Sequence, residues 1–378
     1  MRVLFLTFML SIGSFSNAAQ PTTDDPWPIS ERCATINDTP AEQFIGTIFA
    51  YEPEVGVRGL RADLTTSYFV AFEGANFTGA AAISPSGEFI AIPSGLISFS
   101  TLVDETYQVN EIRVQSTDPA TNSIANRIPW DANYRGTNQD LIMRDLRWLD
   151  ENSLLYAEDD WQTERAYTTV FTIDAMTDAA EYIDDPVIQQ ITDGLSPDRT
   201  RAVGLFDFEI GLFDVATGDL LRGYTSERPQ LAAWSPDSSQ FVMQNSERID
   251  GETIPYLTLI DRDGITTERI GDFEAAQLRW SADGTRFAFT TYDAEIRSHR
   301  LFIGDITERT IPDMCTSVRY GNQTTGYGLM WSPDGTLLAV LLPDAAQPLH
   351  LLDLESATLS PVTIYTETRY GFLIAWTP

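Results

Sequence analysis

Short apolar runs that follow a polar turn recur along most of this chain. One example is WSPDGTLLAVLL (331–342), where Pro333, Asp334 and Gly335 precede a continuous apolar run. Pro presets the first turn position, Asp bonds the following backbone, and Gly accepts a positive φ, so this pattern predicts a tight turn between two strands. The unbroken apolar run is typical of a strand that neighbouring sheets cover on both faces.

The same turn and apolar flank occur six times. The matches are AAISPSGEFIAI (81–92), LRWLDENSLLYA (146–157), GLSPDRTRAVGL (194–205), AAWSPDSSQFVM (232–243), LRWSADGTRFAF (278–289) and LMWSPDGTLLAV (329–340). Aligned on Ser86, Glu151, Asp198, Asp237, Asp283 and Asp334, they lie 65, 47, 39, 46 and 51 residues apart. A final motif, IAWTP, places Trp376 a further 45 residues after Trp331. No helical period of about 3.6 accompanies these repeats.

A second register lies inside each repeat. The segments FTID, GLFD, LTLID, LFIGD and LHLLD each follow a turn at a similar interval and end at Asp174, Asp214, Asp261, Asp305 and Asp353. Each of these Asp residues precedes another polar turn and a further short strand. Four strands per unit of about 40 to 50 residues, repeated around a centre, indicate an all-β fold of the β-propeller class.

The last repeat contains only an inner strand, so the N-terminal part must complete a blade. IGTIFAY (45–51) and TSYFVAF (66–72) are strand-like, and we expect them to close the ring against residues 372–378. Six repeats and this composite blade give seven blades; six would result if residues 45–75 packed elsewhere. Residues 45–378 then form one propeller domain. Residues 20–44 form an N-terminal extension with a short helix, because Thr39-Pro40-Ala41-Glu42 has the pattern of a helix start.

Residues 1–19 have the features of a cleaved secretory signal. They contain Arg2, an apolar stretch and the small-residue pattern Asn17-Ala18-Ala19. A membrane anchor needs about 20 mostly apolar residues, and no later stretch supplies them. We therefore predict a soluble, secreted or periplasmic protein without membrane insertion.

Acidic residues dominate the charge. The chain has 24 basic and 55 acidic residues, and removal of the signal takes away only Arg2, so the mature charge is 23 minus 55, or −32. A field of this sign disfavours nucleic acid and anionic lipid and attracts cations or a basic partner. The alternative is that the charge only keeps the protein soluble. Every basic residue is Arg, which excludes Lys-dependent chemistry such as Schiff bases and Walker-type phosphate loops.

Two cysteines, Cys33 and Cys315, lie far apart in the chain. Oxidation is favoured outside the cytosol, so we predict a disulfide that ties the N-terminal extension to a late part of the fold. Two buried thiols are the alternative. Three glycosylation sequons begin at Asn37, Asn76 and Asn322 and would matter only in a glycosylating host.

Catalytic residues are scarce. The chain has only two histidines, His299 and His350, so a His-rich zinc site is excluded, and a Ser-His-Asp triad could use only these two positions. We predict structural roles for both. The carboxylate pairs Asp159-Asp160 and Asp184-Asp185 could bind calcium or act as acid and base, but 55 acidic residues produce such pairs by chance. We therefore predict no catalytic residue, no metal ligand and no cofactor, with calcium as the alternative.

The repeated motif resembles that of the TolB-like, WD40-like PD40 propellers, which also occur beside the catalytic domain of prolyl oligopeptidase relatives. The resemblance covers residues 80–378. The W-S-P-D-G motif is intact at Trp331–Gly335, varied at Trp234 and Trp280, and eroded at Trp148 and Leu195. The family implies a propeller. Peptidase activity by the family route is excluded, because we expect no hydrolase domain after Pro378 and no G-x-S-x-G elbow occurs.

Function in propellers usually lies in the loops of one end. Connections from the second to the third strand and from the fourth strand to the next blade emerge opposite the SPDG turns. Seven residues there mix aromatic anchors and Arg side chains of the kind enriched at interfaces: Trp130, Tyr134, Arg135, Trp161, Arg165, Tyr292 and Arg297. The alternative is that the aromatic residues pack the loops themselves. The tryptophans at 148, 234, 280, 331 and 376 share a repeat position and are predicted to be structural.

These observations predict an exported, noncatalytic binding scaffold that presents one end to a protein or glycan, as a monomer. The alternative is a propeller hydrolase or lyase that uses carboxylates at the channel mouth, with or without a divalent cation.

Overall fold

The computed structural model describes a large part of the chain. The described ranges are 26–41, 44–52, 56–61, 67–70, 81–98, 106–118, 124–129, 141–160, 165–174, 179–183, 194–206, 209–224, 232–320, 328–343, 345, 347–362 and 372–378. In several strands only the backbone is described. All regular secondary structure within these ranges is β-strand, as the alternation of turns and apolar runs predicts.

The described strands form seven sheets. Six are meanders of four consecutive strands, in which each strand pairs antiparallel with the next. We number them 1 to 6 in chain order. Sheet 1 contains β6 (Ala82–Ile83), β7 (Phe89–Ser98), β8 (Thr106–Ser116) and β9 (Ile124–Pro129). Sheet 2 contains β10 (Leu141–Asp150), β11 (Ser153–Asp160), β12 (Arg165–Asp174) and β13 (Ala179–Ile183). Sheet 3 contains β14 (Gly194–Leu195), β15 (Arg201–Phe206), β16 (Glu209–Asp214) and β17 (Leu220–Gly223).

The later meanders follow the same plan. Sheet 4 contains β18 (Ala232–Trp234), β19 (Gln240–Ile249), β20 (Glu252–Asp261) and β21 (Thr267–Gly271). Sheet 5 contains β22 (Ala275–Trp280), β23 (Arg286–Asp293), β24 (Ser298–Asp305) and β25 (Ile311–Val318), and β1 (Ile29–Glu31) joins it. Sheet 6 contains β26 (Leu329–Trp331), β27 (Leu337–Leu341), β28 (Leu349–Asp353) and β29 (Thr358–Pro361), and β2 (Thr35–Ile36) joins it. The fold is therefore all-β and of the propeller type.

Sheet 7 combines both ends of the chain. It contains β3 (Thr47–Glu52), β4 (Gly56–Arg61), β5 (Ser67–Val70) and, beside β3, the C-terminal strand β30 (Phe372–Thr377). The register pairs Ile48 with Trp376 and Thr47 with Thr377. This is the pairing that the incomplete last repeat predicts.

The turns between first and second strands have one repeated geometry. In sheet 6, the Ser332 hydroxyl donates to Asp334 Oδ1 at 2.6 Å, and the backbone N–H of Thr336 donates to the same oxygen at 3.1 Å. Sheets 3, 4 and 5 repeat the Ser-to-Asp bond at 2.7, 2.6 and 2.6 Å. The turn aspartates therefore stabilise the backbone of their own turns.

The repeated tryptophans link neighbouring sheets. The indole N–H groups of Trp148, Trp234, Trp280 and Trp331 each donate to a carbonyl of the preceding sheet, those of Ala82, Gly194, Ala233 and Arg279, at 2.6 to 3.0 Å. Trp376 instead donates to Ile45 O at 2.7 Å, just before β3 of its own sheet. Their repeat position is thus a structural one.

Apolar clusters fill the spaces between successive sheets. Ile303 and Leu338 belong to one cluster between sheets 5 and 6, and Phe241 and Leu212 belong to another between sheets 3 and 4. The first and last repeats meet sheet 7 in the same way, since Phe49 of β3 packs with Ile90 of β7 and Ile48 of β3 belongs to one cluster with Leu351 of β28. The core is therefore divided among the sheet junctions.

The N-terminal segment runs along the outer strands of sheets 4, 5 and 6. Trp27 N–H donates to Ile270 O at 2.9 Å, β1 pairs parallel with β25, and β2 pairs parallel with β29. Cys33 forms a disulfide with Cys315, which confirms that prediction over two free thiols. We call residues 27–41 the strap.

The helix predicted at Thr39–Glu42 is wrong where the structure describes it. Residues 37–41 form a bend and an extended stretch; residue 42 lies outside the described ranges. The Asn37 side chain accepts from Thr39 N–H at 3.0 Å, and Ala41 N–H donates to Pro361 O at 3.0 Å. The outer strand β29 thus supplies the acceptor for Ala41 N–H that the Thr39 side chain would have supplied as a helix cap, and Ala41 and Phe44 are buried between sheets 6 and 7.

Candidate functional site

The meander topology places three of the predicted interface residues, Arg165, Tyr292 and Arg297, at one end of the sheets. The connections between second and third strands, and those between successive sheets, emerge opposite the Ser–Asp turns. We call this the loop end. Four of the seven predicted residues, Trp130, Tyr134, Arg135 and Trp161, lie outside the described residues. Arg165 is the first residue of β12, at the loop end, and only its backbone is described.

Tyr292 and Arg297 flank the connection between β23 and β24, so the structure brings these two predicted residues together. Tyr292 lies opposite His299 in the strand pair, and their ring centroids are 5.5 Å apart. Tyr320, which follows β25, also lies beside His299, with ring centroids 4.9 Å apart. Tyr292 and Tyr320 expose 56% and 48% of their surface, so neither ring is buried by packing against its own loop. Sequence reasoning missed Tyr320.

Burial lowers the pKa of His299 below its ordinary value, so it favours the neutral imidazole at the centre of this group. His350 is buried in β28, where its Nδ1 lies 3.5 Å from Pro348 O and burial, only partly offset by that contact, lowers its pKa as well. Neither histidine has a carboxylate partner among the described contacts. Both environments fit the predicted structural roles.

Asp293 shapes the connection that carries Arg297. Its Oδ1 accepts from Glu295 N–H at 2.9 Å and Ile296 N–H at 3.4 Å, as an aspartate does in a local turn. Arg297 adopts a φ of 52°, which closes the turn, and its side chain is exposed. Ile296 is also exposed. The turn therefore presents an aliphatic and a cationic side chain side by side.

Arg300 links three strands of sheet 5 next to this turn, and we call Arg300, Asp293 and Asp313 the clasp of sheet 5. Its guanidinium donates to Asp313 of β25 at 2.7 and 3.0 Å and lies 3.6 Å from Asp293 of β23. Asp313 Oδ1 also accepts from Cys315 N–H at 2.8 Å. A bidentate pair with a nearly buried carboxylate holds better than an exposed pair. The strap disulfide, Asp313, Arg300 and the turn therefore form one connected group.

Sheet 4 contains an equivalent clasp, but its arginine lies on the fourth strand, whereas the arginine of the sheet 5 clasp lies on the third strand. Arg269 of β21 lies over the Tyr256 ring of β20, 4.3 Å from its centroid, and pairs with Glu247 of β19 at 2.7 Å. Asp272 completes the clasp at 2.6 Å. Tyr256 lies five residues before Asp261, where the third strand of sheet 4 ends, and Arg300 lies five residues before Asp305, where the third strand of sheet 5 ends. The two residues therefore occupy equivalent positions. Both hairpins are thus held at the loop end.

A buried amide fixes the base of the next connection. Gln277 Nε2 donates to Arg319 O at 3.1 Å, and its Oε1 accepts from Gly328 N–H at 2.9 Å. The two ends of the segment from 319 to 328 are therefore held close together. Tyr320 follows directly from this fixed point, which places it beside His299.

The candidate metal ligands at the loop end can be placed only in part. No group of three or more His, Cys, Asp or Glu residues in the described part of the chain is arranged to hold a metal ion. Asp159 and Asp160 end β11, where only the backbone is described, and Asp184-Asp185 lies outside the described ranges. Within the described residues, no helix has the length and hydropathy needed to span a bilayer.

Comparisons with known proteins found likeness only to solved structures, and at low identity. No protein-family profile matches the chain, and no curated protein matches it. TolB from Acinetobacter baumannii is 14% identical, with 89% of this chain and 68% of that chain covered and a TM-score of 0.44. Sqt1 from Chaetomium thermophilum is 14% identical, with 76% and 72% covered and a TM-score of 0.45. Kuenenia stuttgartiensis hydrazine synthase is 14% identical, with 80% and 84% covered and a TM-score of 0.46. Such likeness carries no argument about function.

Proposed function

We propose that this chain is an exported, seven-bladed propeller that acts as a noncatalytic binding scaffold, with its loop end as the binding surface for a protein or glycan. The W-S-P-D-G repeats support placement beside the TolB-like PD40 propellers. The N-terminal apolar segment and the Cys33–Cys315 disulfide support export to a secreted or periplasmic location.

Contacts at every sheet junction support a closed ring of seven blades. The first strands of neighbouring sheets touch at β6 and β10, β14 and β18, β18 and β22, β22 and β26, β26 and β30, and β30 and β6. Sheets 2 and 3 meet through the buried Leu155 and Leu195 and through the ion pair of Asp150 with Arg199. A ring leaves no inner strand without a neighbour on either side.

The observation that carries the binding role is the pair of clasped hairpins at the loop end. In each clasp the guanidinium group is paired with carboxylates and holds a hairpin in place. Near the clasp of sheet 5, the side chains of Tyr292, Tyr320 and Ile296 are exposed. Exposed aromatic groups on a rigid frame are typical of recognition surfaces, because little side-chain entropy is lost when a partner binds. No catalytic residue is assigned.

An affinity capture from extracellular or envelope extract of the host, read by mass spectrometry, tests this proposal. The bait is the mature chain, compared with Tyr292→Ala/Arg297→Ala and with Trp130→Ala/Trp161→Ala. The matched control is Ile265→Ala, an exposed residue at the opposite end. Circular dichroism first establishes that each variant folds.

A partner retained by wild type and by the control, and lost with either loop-end variant, would support the scaffold role. Equal capture by all four proteins would place the binding surface elsewhere. If nothing is captured, turnover assays with candidate hydrolase and lyase substrates follow, and turnover would overturn the noncatalytic proposal.

A further inference from the structure

Exposed large apolar side chains concentrate at the loop end of sheets 4 and 5. Ten such residues occur in the described part of the chain, and four lie at this place: Ile249, Tyr292, Ile296 and Tyr320. Ile249 ends β19 and precedes a two-residue Asp250-Gly251 turn in which both residues have positive φ. Tyr292 and Ile296 occupy the equivalent hairpin of the next sheet. Sheets 4 and 5 are adjacent, because their first strands, β18 and β22, touch.

Carboxylates surround these apolar residues. Asp250, Glu252, Glu274 and Glu295 are exposed and have no ion-pair partner among the described residues. The basic residues beside this surface that belong to neither clasp are Arg248, Arg297 and Arg319. The remaining cations of the two hairpins, Arg269 and Arg300, are already paired within the clasps. The whole chain carries a net charge of −31 with the same sign. An acidic partner would be repelled both locally and by the whole molecule.

We propose that the loop end of sheets 4 and 5 docks a basic polypeptide segment with apolar anchor side chains. The inference rests on the proposed binding role of the loop end and names the chemistry of the partner. The apolar residues of the two hairpin tips receive the anchors, and the four unpaired carboxylates receive Arg or Lys side chains. The clasps set the positions of both tips before the partner arrives, so binding needs little rearrangement of the backbone.

The internal clasp of sheet 4 illustrates how this surface handles a cation. Arg269 is held by an aromatic face and two carboxylates, Glu247 and Asp272. Tyr292 presents a similar exposed ring, and Glu295 is three residues away in the adjoining turn. A basic side chain from a partner would find both a π face and a carboxylate there.

Fluorescence anisotropy with labelled synthetic peptides and the intact mature protein tests the inference. The probe is a peptide of alternating Leu and Arg; one comparison peptide replaces Arg by Glu, and another replaces Leu by Gly. The variant Ile249→Ser/Ile296→Ser removes one anchor site from each hairpin. Its matched control, Ile265→Ser, removes an apolar side chain with 74% exposure at the opposite end. All three substituted positions are exposed, so wild type and both variants are expected to have equal melting temperatures.

We expect the Leu–Arg peptide to bind wild type and the control alike and to bind the double variant about ten-fold more weakly or worse. The Glu peptide should not bind, the Gly peptide should bind weakly, and added salt should weaken binding. Glu252→Gln/Glu295→Gln should also weaken it.

Three results would overturn the inference. Equal weakening by Ile265→Ser, at the opposite end, would show that the peptide has no preference for the loop end, and equal binding of the Glu peptide would remove the charge argument. A neutral oligosaccharide that binds wild type and fails with Tyr292→Ala, while the Leu–Arg peptide shows no difference between variants, would identify a glycan surface instead. That last outcome rejects the basic segment and keeps the proposed loop-end scaffold, so the two proposals fail separately.

Discussion

The aspartate of the Ser–Asp turn makes the same side-chain contact in sheets 3, 4, 5 and 6. Asp334 accepts from Ser332, from the Thr336 backbone and from the Thr336 hydroxyl, at 2.6, 3.1 and 2.9 Å. We expect Asp334→Ala to lower the free energy of unfolding by about 1–2 kcal/mol, because the turn loses the one carboxylate oxygen that accepts all three hydrogen bonds. Urea denaturation measures the change. Asp219→Ala is the control; Asp219 is exposed and its carboxylate has no partner among the described residues, so its loss should stay within about 0.5 kcal/mol.

The same contacts predict acid sensitivity. The hydrogen bond from Ser332 is the largest cause that holds the pKa of Asp334 below its ordinary value, and burial opposes it; Asp237 with Ser235 behaves alike. Since the folded pKa lies below the unfolded value of 3.8, the ionised carboxylates stabilise the fold above that pH. This contribution disappears as the pH falls through the folded pKa. The urea midpoint of wild type should therefore drop between about pH 6 and about pH 3, and Asp237→Asn/Asp334→Asn should show a smaller drop. An equal drop in both proteins would contradict this origin.

Sequence reasoning succeeded at the residue scale where a role depends on neighbours in the chain. The turn role of Asp334 follows from Ser332 and Thr336, which lie two residues away on either side. The clasps could not be predicted, because Arg300 and Arg269 act from different strands and their partners depend on strand register. Tyr320 was missed for the same reason, since its neighbour His299 is on another strand. The positions of Trp130 and Trp161 remain predictions.

Among the elements, the strap was only partly predictable. The cysteine count predicted its disulfide, and the helix predicted at its end was wrong, because local capping signals compete there with acceptors on β29. Nothing in the sequence pattern marked Trp27 as buried, although it is only 4% exposed and its indole donates to Glu268 at 2.8 Å. The path of the strap depends on its pairing with β25 and β29, which are distant from it in the chain.

The strap predicts a strong effect of reduction. The disulfide joins residues separated by 282 positions, for which the chain-entropy model gives a stabilisation of about 5 kcal/mol. Cys33→Ser/Cys315→Ser should therefore lower the melting temperature markedly, and a reducing agent should lower that of wild type to the same value. The variant itself should not respond to the reducing agent. Unchanged melting of the variant would show that β1, β2 and Trp27 hold the strap without the covalent bond.

For the whole molecule, the proposed ring depends on one junction more than on the others. Every meander is continuous in the chain, but sheet 7 joins residues near both ends, with Ile48 beside Trp376 and Trp376 donating to Ile45 O. Opening this junction would expose Ile48 and Phe49, which are otherwise buried. Sheets 1 and 6 would then each lose one neighbour.

Deletion of residues 372–378 tests this junction. It removes β30 and with it the buried Leu373 and Trp376, so we expect a loss of several kcal/mol, a less cooperative urea transition and binding of a dye specific for exposed apolar surface. The matched control ends at Thr377 and removes only the exposed Pro378.

If the ring is closed, a disulfide engineered between β30 and β3 should raise the melting temperature, because both strands are already adjacent. Deletion without loss of stability would mean that sheet 7 does not close a ring, and a six-bladed arrangement would then describe the molecule better.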